Sequence, residues 1–183
     1  MPDIKSAWEI AQEKASKLGE LSTEEREEQR REKCRLLGEA LADKYLMNYD
    51  IGIIKDELSK RDPAEKNLFG RATVRRLSKA IHLSYPDSLA EISRAILEIE
   101  SSSAIKQTMD EIKTLFEEYI LAEKKERLEI ENSGGEILHQ MRISGSAVGN
   151  LNIRAKNEWQ KKLEQVAGPF DIRLTALKAK LQL

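Results

Sequence analysis

Residues 89–120 read LAEISRAILEIESSSAIKQTMDEIKTLFEEYI, which is the longest helical pattern in the chain. Apolar residues recur every three or four positions on both sides of Ser101–Ser103, and this spacing predicts α-helix. The two halves are out of phase by about one residue, so we expect a kink, a stutter or a new helix cap at the serines. One unbroken helix over residues 89–131 would be roughly 65 Å long. A compact chain of this length has a radius of gyration of about 16 Å, so such a helix would protrude and would need a covering partner.

The second half of this stretch carries a dense apolar stripe. We predict a packing seam, within the chain or across a dimer, formed by Ile112, Leu115, Phe116, Tyr119 and Ile120. Helices that bind a partner and helices of a monomeric bundle share this combination of aliphatic stripes with dense Glu, Lys and Arg. Periodicity therefore leaves both arrangements open.

Helix start and stop signals extend the helical pattern in both directions. A helix is expected at residues 5–18, and a capping box at residues 22–25 (STEE) opens the next one. Asp50 is expected to cap a short helix that holds Ile51, Ile54 and Leu58. Asp62-Pro63 opens a helix that is expected to reach about Leu83. Stop signals are expected at Ser133-Gly134-Gly135 and at Gly168-Pro169, with Asn157 capping the helix between them.

These signals predict an all-α fold, either an extended helical bundle or a coiled-coil-like hairpin. The one departure is residues 143–153, where Gly, Ser and Asn predict a short irregular or strand-like segment. The chain divides into a region of short helices over 1–83, a long amphipathic helix over 84–132, and a glycine-rich connector with C-terminal helices over 133–183. We expect the three regions to form one structural domain.

Composition narrows the classes of function. The chain has 183 residues, of which 34% are charged and 5% are aromatic, and its formal net charge is −1. This balance provides no broad positive field for non-specific binding to nucleic acid or to acidic membranes. The longest uncharged run, residues 143–153, is shorter than the roughly 20 apolar residues of a membrane span. We therefore expect no membrane insertion. Cys34 is the only cysteine and leaves no intramolecular disulfide, so we expect a cytoplasmic location.

Three local patterns resemble parts of a metal site, a catalytic thiol site and a phosphate-binding loop. Each of them lacks a residue or motif that such a site requires. Glu136 and His139 have the Glu-x-x-His spacing of di-iron bundles, yet the second such motif is missing. Cys34 has no activating base that the sequence makes evident, so a buried structural thiol is expected. Gly145 and Gly149 are not followed by the Gly-Lys-Ser/Thr ending of a phosphate-binding loop. We therefore predict no catalytic residue, no cofactor and no metal site.

Residues 71–99 carry a helix-turn-helix-like pattern. A first helix would be followed by a turn at residues 82–84 and by a second helix from Ser88. A candidate phosphate-contacting stripe of basic residues four positions apart is formed by Arg71, Arg75 and Lys79. The second helix offers only Arg94 as a basic residue, and a solvated charged face of an ordinary helical hairpin explains the same pattern.

Three further segments are IKSAWEIA at residues 4–11, GEALA at 38–42 and ISGSAV at 143–148. Together they resemble a small uncharacterised bacterial family of helical proteins of unknown function. The resemblance would span most of the chain and implies a bacterial, cytosolic protein. It brings no activity, ligand or catalytic residue with it.

The functional prediction follows from the long amphipathic stripe and from the expected lack of a catalytic, cofactor or metal site. We predict a non-enzymatic helical protein that binds a protein partner or forms a homo-oligomer, as an adaptor or assembly protein. The alternative is a nucleic-acid-binding regulator that uses the helix-turn-helix-like segment at residues 71–99.

Overall fold

The protein is all-α, as predicted from the sequence. The computed structural model describes residues 22–140 and 146–181, and the helix expected at residues 5–18 lies outside them. The described residues form six helices and no strand. In chain order they are α1 (Thr23–Asn48), α2 (Ile51–Ser59), α3 (Pro63–Ala80), α4 (Ser88–Ile99), α5 (Ser103–Gln140) and α6 (Ser146–Lys180).

Three helices begin where local sequence signals predict. At the start of α1, the Ser22 backbone N–H donates to the Glu25 carboxylate at 2.8 Å, and the Glu25 N–H donates to the Ser22 hydroxyl oxygen at 3.1 Å. The Gly52 N–H donates to the Asp50 carboxylate at 2.9 Å at the start of α2. Pro63 is the first residue of α3. A backbone N–H at this position would have no acceptor within the helix, so proline costs no hydrogen bond there. These start predictions are confirmed.

Helices α1 and α3 run parallel and in close contact. Arg30 pairs with Glu65 at 3.2 Å, and further along both helices Asp43 pairs with Arg76 at 2.7 Å. Between these ion pairs, α3 passes directly over Gly38, where a Cβ atom would lie 2.7 Å from the Phe69 carbonyl oxygen. The short helix α2 returns the chain so that the two longer helices can point the same way.

The chain leaves the helix at Ile81, which is extended, and then turns at residues 83–84 and 86–87. The helix was expected to reach about Leu83, but it ends at Ala80, and Ile81 has φ −73° and ψ 116°. This conformation buries the side chains of Ile81 and Leu83 while His82 between them stays exposed. A continued helix would have pointed these neighbouring apolar residues in different directions, so core packing explains the earlier end.

A new helix start separates α4 from α5. Glu100 is extended, with φ −141° and ψ 107°, and the Ser102 hydroxyl accepts a hydrogen bond from the Ile105 N–H at 3.3 Å. The Lys106 N–H donates to the Ser102 carbonyl at 3.0 Å. The three serines therefore contain a new helix cap, which is one of the three alternatives expected from the phase shift. One unbroken helix over 89–131 does not form.

Helices α5 and α6 form an antiparallel hairpin. Its base is held by the ion pairs Lys180–Glu111 at 2.9 Å and Arg173–Glu118 at 2.8 Å. The base belongs to the main core, in which apolar residues of both helices pack with those of α1 to α4. This core reaches along the hairpin as far as Tyr119 and Phe170, whose ring centroids are 5.6 Å apart. The remaining residues of both helices extend beyond the core, and α5 alone is about 57 Å long.

Four predictions about the C-terminal half are wrong. Residues 146–153 of the predicted strand-like segment are helical, and residues 143–145 lie outside the described ranges. Helix α5 continues through Ser133-Gly134-Gly135, and Asn157 lies inside α6 rather than at its start. Helix α6 also continues through Pro169.

Contacts across the hairpin explain two of these continuations. The ring of Trp159 packs against Gly134, where an added Cβ atom would lie 3.3 Å from Trp159 Cζ2. Just after Pro169, Phe170 and Leu174 pack into the core, so tertiary contacts hold the helix where proline removes one backbone hydrogen bond.

Candidate functional site

The predicted seam lies mostly inside the hairpin and the core. Ile112, Leu115 and Phe116 are buried, Tyr119 is half-buried, and Ile120 keeps 44% of its surface exposed. The chain itself therefore covers most of this seam, and a partner would find only its outer edge. Burial raises the pKa of the Tyr119 phenol, and the nearby Glu123 carboxylate raises that pKa further.

A second stripe on α5, which the sequence prediction missed, faces solvent. We define the outer stripe as Glu117, Leu121, Lys124 and Leu128, four exposed residues with spacings of four, three and four. Leu121 is 68% exposed and Leu128 is 50% exposed. Seven-residue spacing places two leucines on one helix face, and this spacing was the available signal. It was hidden because the denser stripe from Ile112 to Ile120 dominates the apolar pattern.

The outer stripe continues one wall of a groove at the base of the hairpin. The groove has a volume of about 790 Å³ and is open to solvent, and Gln107 and Thr114 lie along its α5 side. Gln107, Thr114, Leu121 and Leu128 are each seven residues apart, so they follow one line along the helix. The Lys180 ammonium crosses the groove to Glu111 and lowers the pKa of that carboxyl through their hydrogen bond.

Charges on the outer stripe differ in whether they are already paired. Glu118, beside the stripe, pairs with Arg173, and Lys125 approaches Glu129 at 3.9 Å. Glu117 and Lys124 have no ion pair with any other residue in the described part of the chain. The stripe therefore presents an acid, a leucine, a base and a leucine in sequence, with both charges available to a partner.

The predicted basic stripe lies on the outer face of α3. Arg71, Arg75 and Lys79 are all exposed, and none of them forms an ion pair within residues 22–140 and 146–181. Arg76, by contrast, is held by Asp43. The connection between α3 and α4 covers seven residues, 81–87, whereas the turn of a helix-turn-helix motif has three or four.

The candidate catalytic, metal-binding and anion-binding residues do not form a site in the described part of the structure. Cys34 is buried, as predicted for a structural thiol. The backbone at Glu136 and His139 is helical, but their side chains lie outside what the structure describes, as do Ser144 and Gly145. Among the described side chains, no group of three or more His, Cys, Asp or Glu residues could hold a metal ion.

No helix in the described ranges has the length and apolarity that crossing a lipid bilayer requires. Comparisons with protein-family models, with curated proteins and with solved structures found no match to this chain.

Proposed function

We propose that this protein is a non-enzymatic adaptor or assembly protein that binds another protein chain through the outer stripe of α5. One observation carries the proposal: Leu121 and Leu128 stay exposed on a hairpin whose own apolar seam is already covered. Two leucines one heptad apart are suited to lie against an apolar helix face or groove. Charged residues at Glu117 and Lys124 would set the orientation of the partner.

The location that we propose is the cytoplasm. A single buried cysteine fits a reducing compartment, because such a chain needs no disulfide for stability. The resemblance to a small bacterial family adds a bacterial origin to this proposal.

The proposal predicts that acidic substitutions in the outer stripe abolish binding without unfolding the protein. Leu121→Glu combined with Leu128→Glu should remove any co-purified partner and any self-association, because two charges would be desolvated in the contact. Both residues are exposed, so the helical circular dichroism spectrum and its thermal midpoint should change little. Binding is measured by sedimentation velocity and by quantitative mass spectrometry of protein purified from its native cells.

The matched control combines Leu36→Glu with Met47→Glu, which introduces the same two charges at apolar side chains of α1 that are 53% and 80% exposed. This variant should bind as the wild type does. Equal binding by the double glutamate variant, or a wild-type chain that sediments as a monomer and retains no partner, would contradict the proposal.

A second candidate function is binding to nucleic acid through α3. The observation that favours it is the exposure of Arg71, Arg75 and Lys79 without an ion pair in the described part of the chain. Residues four apart rise about 6 Å along a helix, so three cations could contact successive phosphates of one strand. Neutralising about three phosphates would give a slope of about −2.7 for log K against log salt.

This candidate predicts salt-sensitive binding that depends on the basic stripe. Alanine at Arg71, Arg75 and Lys79 together should abolish binding to labelled duplexes and single strands in fluorescence anisotropy at low salt. The control replaces Lys55, Lys60 and Lys113, which lose the same charge but are each paired with a carboxylate. No binding by the wild type, or equal losses in both triple variants, would rule out this function.

A further inference from the structure

The charges of the outer stripe are ordered so that two antiparallel copies of the stripe place opposite charges face to face. Glu117 precedes Leu121 by four residues, and Lys124 follows it by three. The midpoint between the two charges therefore coincides with Leu121 to within one residue. Any helix with this arrangement can lie antiparallel against a copy of itself with opposite charges facing each other on both sides of the leucine.

We propose that the partner of the outer stripe is a second copy of this chain, laid antiparallel along α5 with a two-fold axis at Leu121. Glu117 and Lys124 are seven residues apart, so they share one helix face on either side of Leu121, and an antiparallel copy presents them in the reverse order. Glu117 then faces the partner's Lys124, and Lys124 faces the partner's Glu117. Leu121 meets the partner's Leu121 at the axis. This inference rests on the proposed function and names its partner.

Other registers of the same two helices are less favourable. An axis midway between Leu121 and Leu128 would pair the leucines but would place Lys124 beside the partner's Lys124. A parallel arrangement would align acid with acid and base with base along the contact. Like charges that face each other across an interface oppose association, so the axis at Leu121 is preferred over both.

The charges of Glu117 and Lys124 are available for contact with a second copy of the chain. Neither Glu117 nor Lys124 has an ion pair among the described residues, so neither must break one to form the dimer. A single helix face is smaller than the roughly 1,200–2,000 Å² that stable interfaces bury. We therefore expect a weak dimer, with a dissociation constant on the order of micromolar or above, that dissociates further at high salt.

A charge exchange tests this register. Glu117→Lys alone and Lys124→Glu alone should each weaken dimerisation about tenfold or more in sedimentation velocity, because each creates two like-charge contacts. An equimolar mixture of the two variants should recover wild-type affinity as a heterodimer, in which both contacts are again between opposite charges. Lys106→Glu, a charge-matched change at another exposed position of α5, should leave dimerisation unchanged.

Two results would overturn the inference. One is a wild-type chain that remains monomeric at several hundred micromolar, and the other is a mixture that associates no better than either variant alone. If the wild type is monomeric but retains another protein that the Leu121→Glu and Leu128→Glu variant loses, the proposed function holds and only the self-association fails.

Discussion

Valine at position 38 is expected to lower the free energy of unfolding by about 3 kcal/mol. A Cβ atom on Gly38 would lie 2.7 Å from the Phe69 carbonyl oxygen and 2.8 Å from Ala72 Cβ. The first of these atoms belongs to the backbone of α3, so no side-chain rotation relieves the clash, and α1 must move away from α3. Because small domains have only about 5–15 kcal/mol of stability, this loss is a large share of the total.

Urea denaturation followed by circular dichroism measures this loss as a shift of the midpoint at an unchanged slope. The control is Ala40→Val on the same helix, where the side chain is exposed. It should cost only about 0.5 kcal/mol, because valine is a poorer helix former than alanine. Equal costs at positions 38 and 40 would show that α1 and α3 do not approach each other at Gly38.

Alanine at Ile112 should destabilise the protein by about 2–5 kcal/mol. Ile112 is fully buried in the core cluster that joins the base of the hairpin to α1–α4, so truncation leaves a cavity that the surroundings cannot readily fill. Because one cluster contains residues of both parts, we also expect a single unfolding transition in calorimetry and in denaturant, with all probes shifting together.

Ile120→Ala is the matched control, since it makes the same substitution eight residues further along α5. Ile120 keeps 44% of its surface in water, so less apolar area is lost, and alanine gains helix propensity. We expect a cost below about 1 kcal/mol. Similar costs for the two isoleucines would contradict the covered hairpin that the structure describes.

The same two isoleucines show which structural features the spacing of apolar residues predicts and which it does not. The spacing of apolar residues placed Ile112 and Ile120 in one predicted seam, and both do lie in one helix. Burial separates them: Ile112 is fully buried and Ile120 keeps 44% of its surface exposed, although Ile130 further along α5 is buried again. Where a neighbouring helix stops covering a stripe depends on contacts between residues far apart in the chain, which a single helical pattern does not contain.

The candidate interaction surface was harder to predict than the core. Leu121 and Leu128 are two leucines among many in a chain rich in aliphatic residues, and their meaning comes from exposure rather than from residue type. The basic residues Arg71, Arg75 and Lys79 were visible in the sequence, because four-residue spacing alone places them on one face of a helix. Their lack of described ion-pair partners required the positions of the surrounding carboxylates.

The starts of α1 and α2 are decided locally, whereas several helix ends are not. Ser22 with Glu25 and Asp50 with Gly52 satisfy backbone groups within a few residues, so short sequence signals suffice to place α1 and α2. The ends expected at Gly134 and Pro169 fail because distant partners intervene: Trp159 packs over the glycine, and Phe170 and Leu174 enter the core beyond the proline. A glycine or a proline costs a helix only a few kcal/mol, and tertiary burial of large apolar side chains offsets a cost of that size.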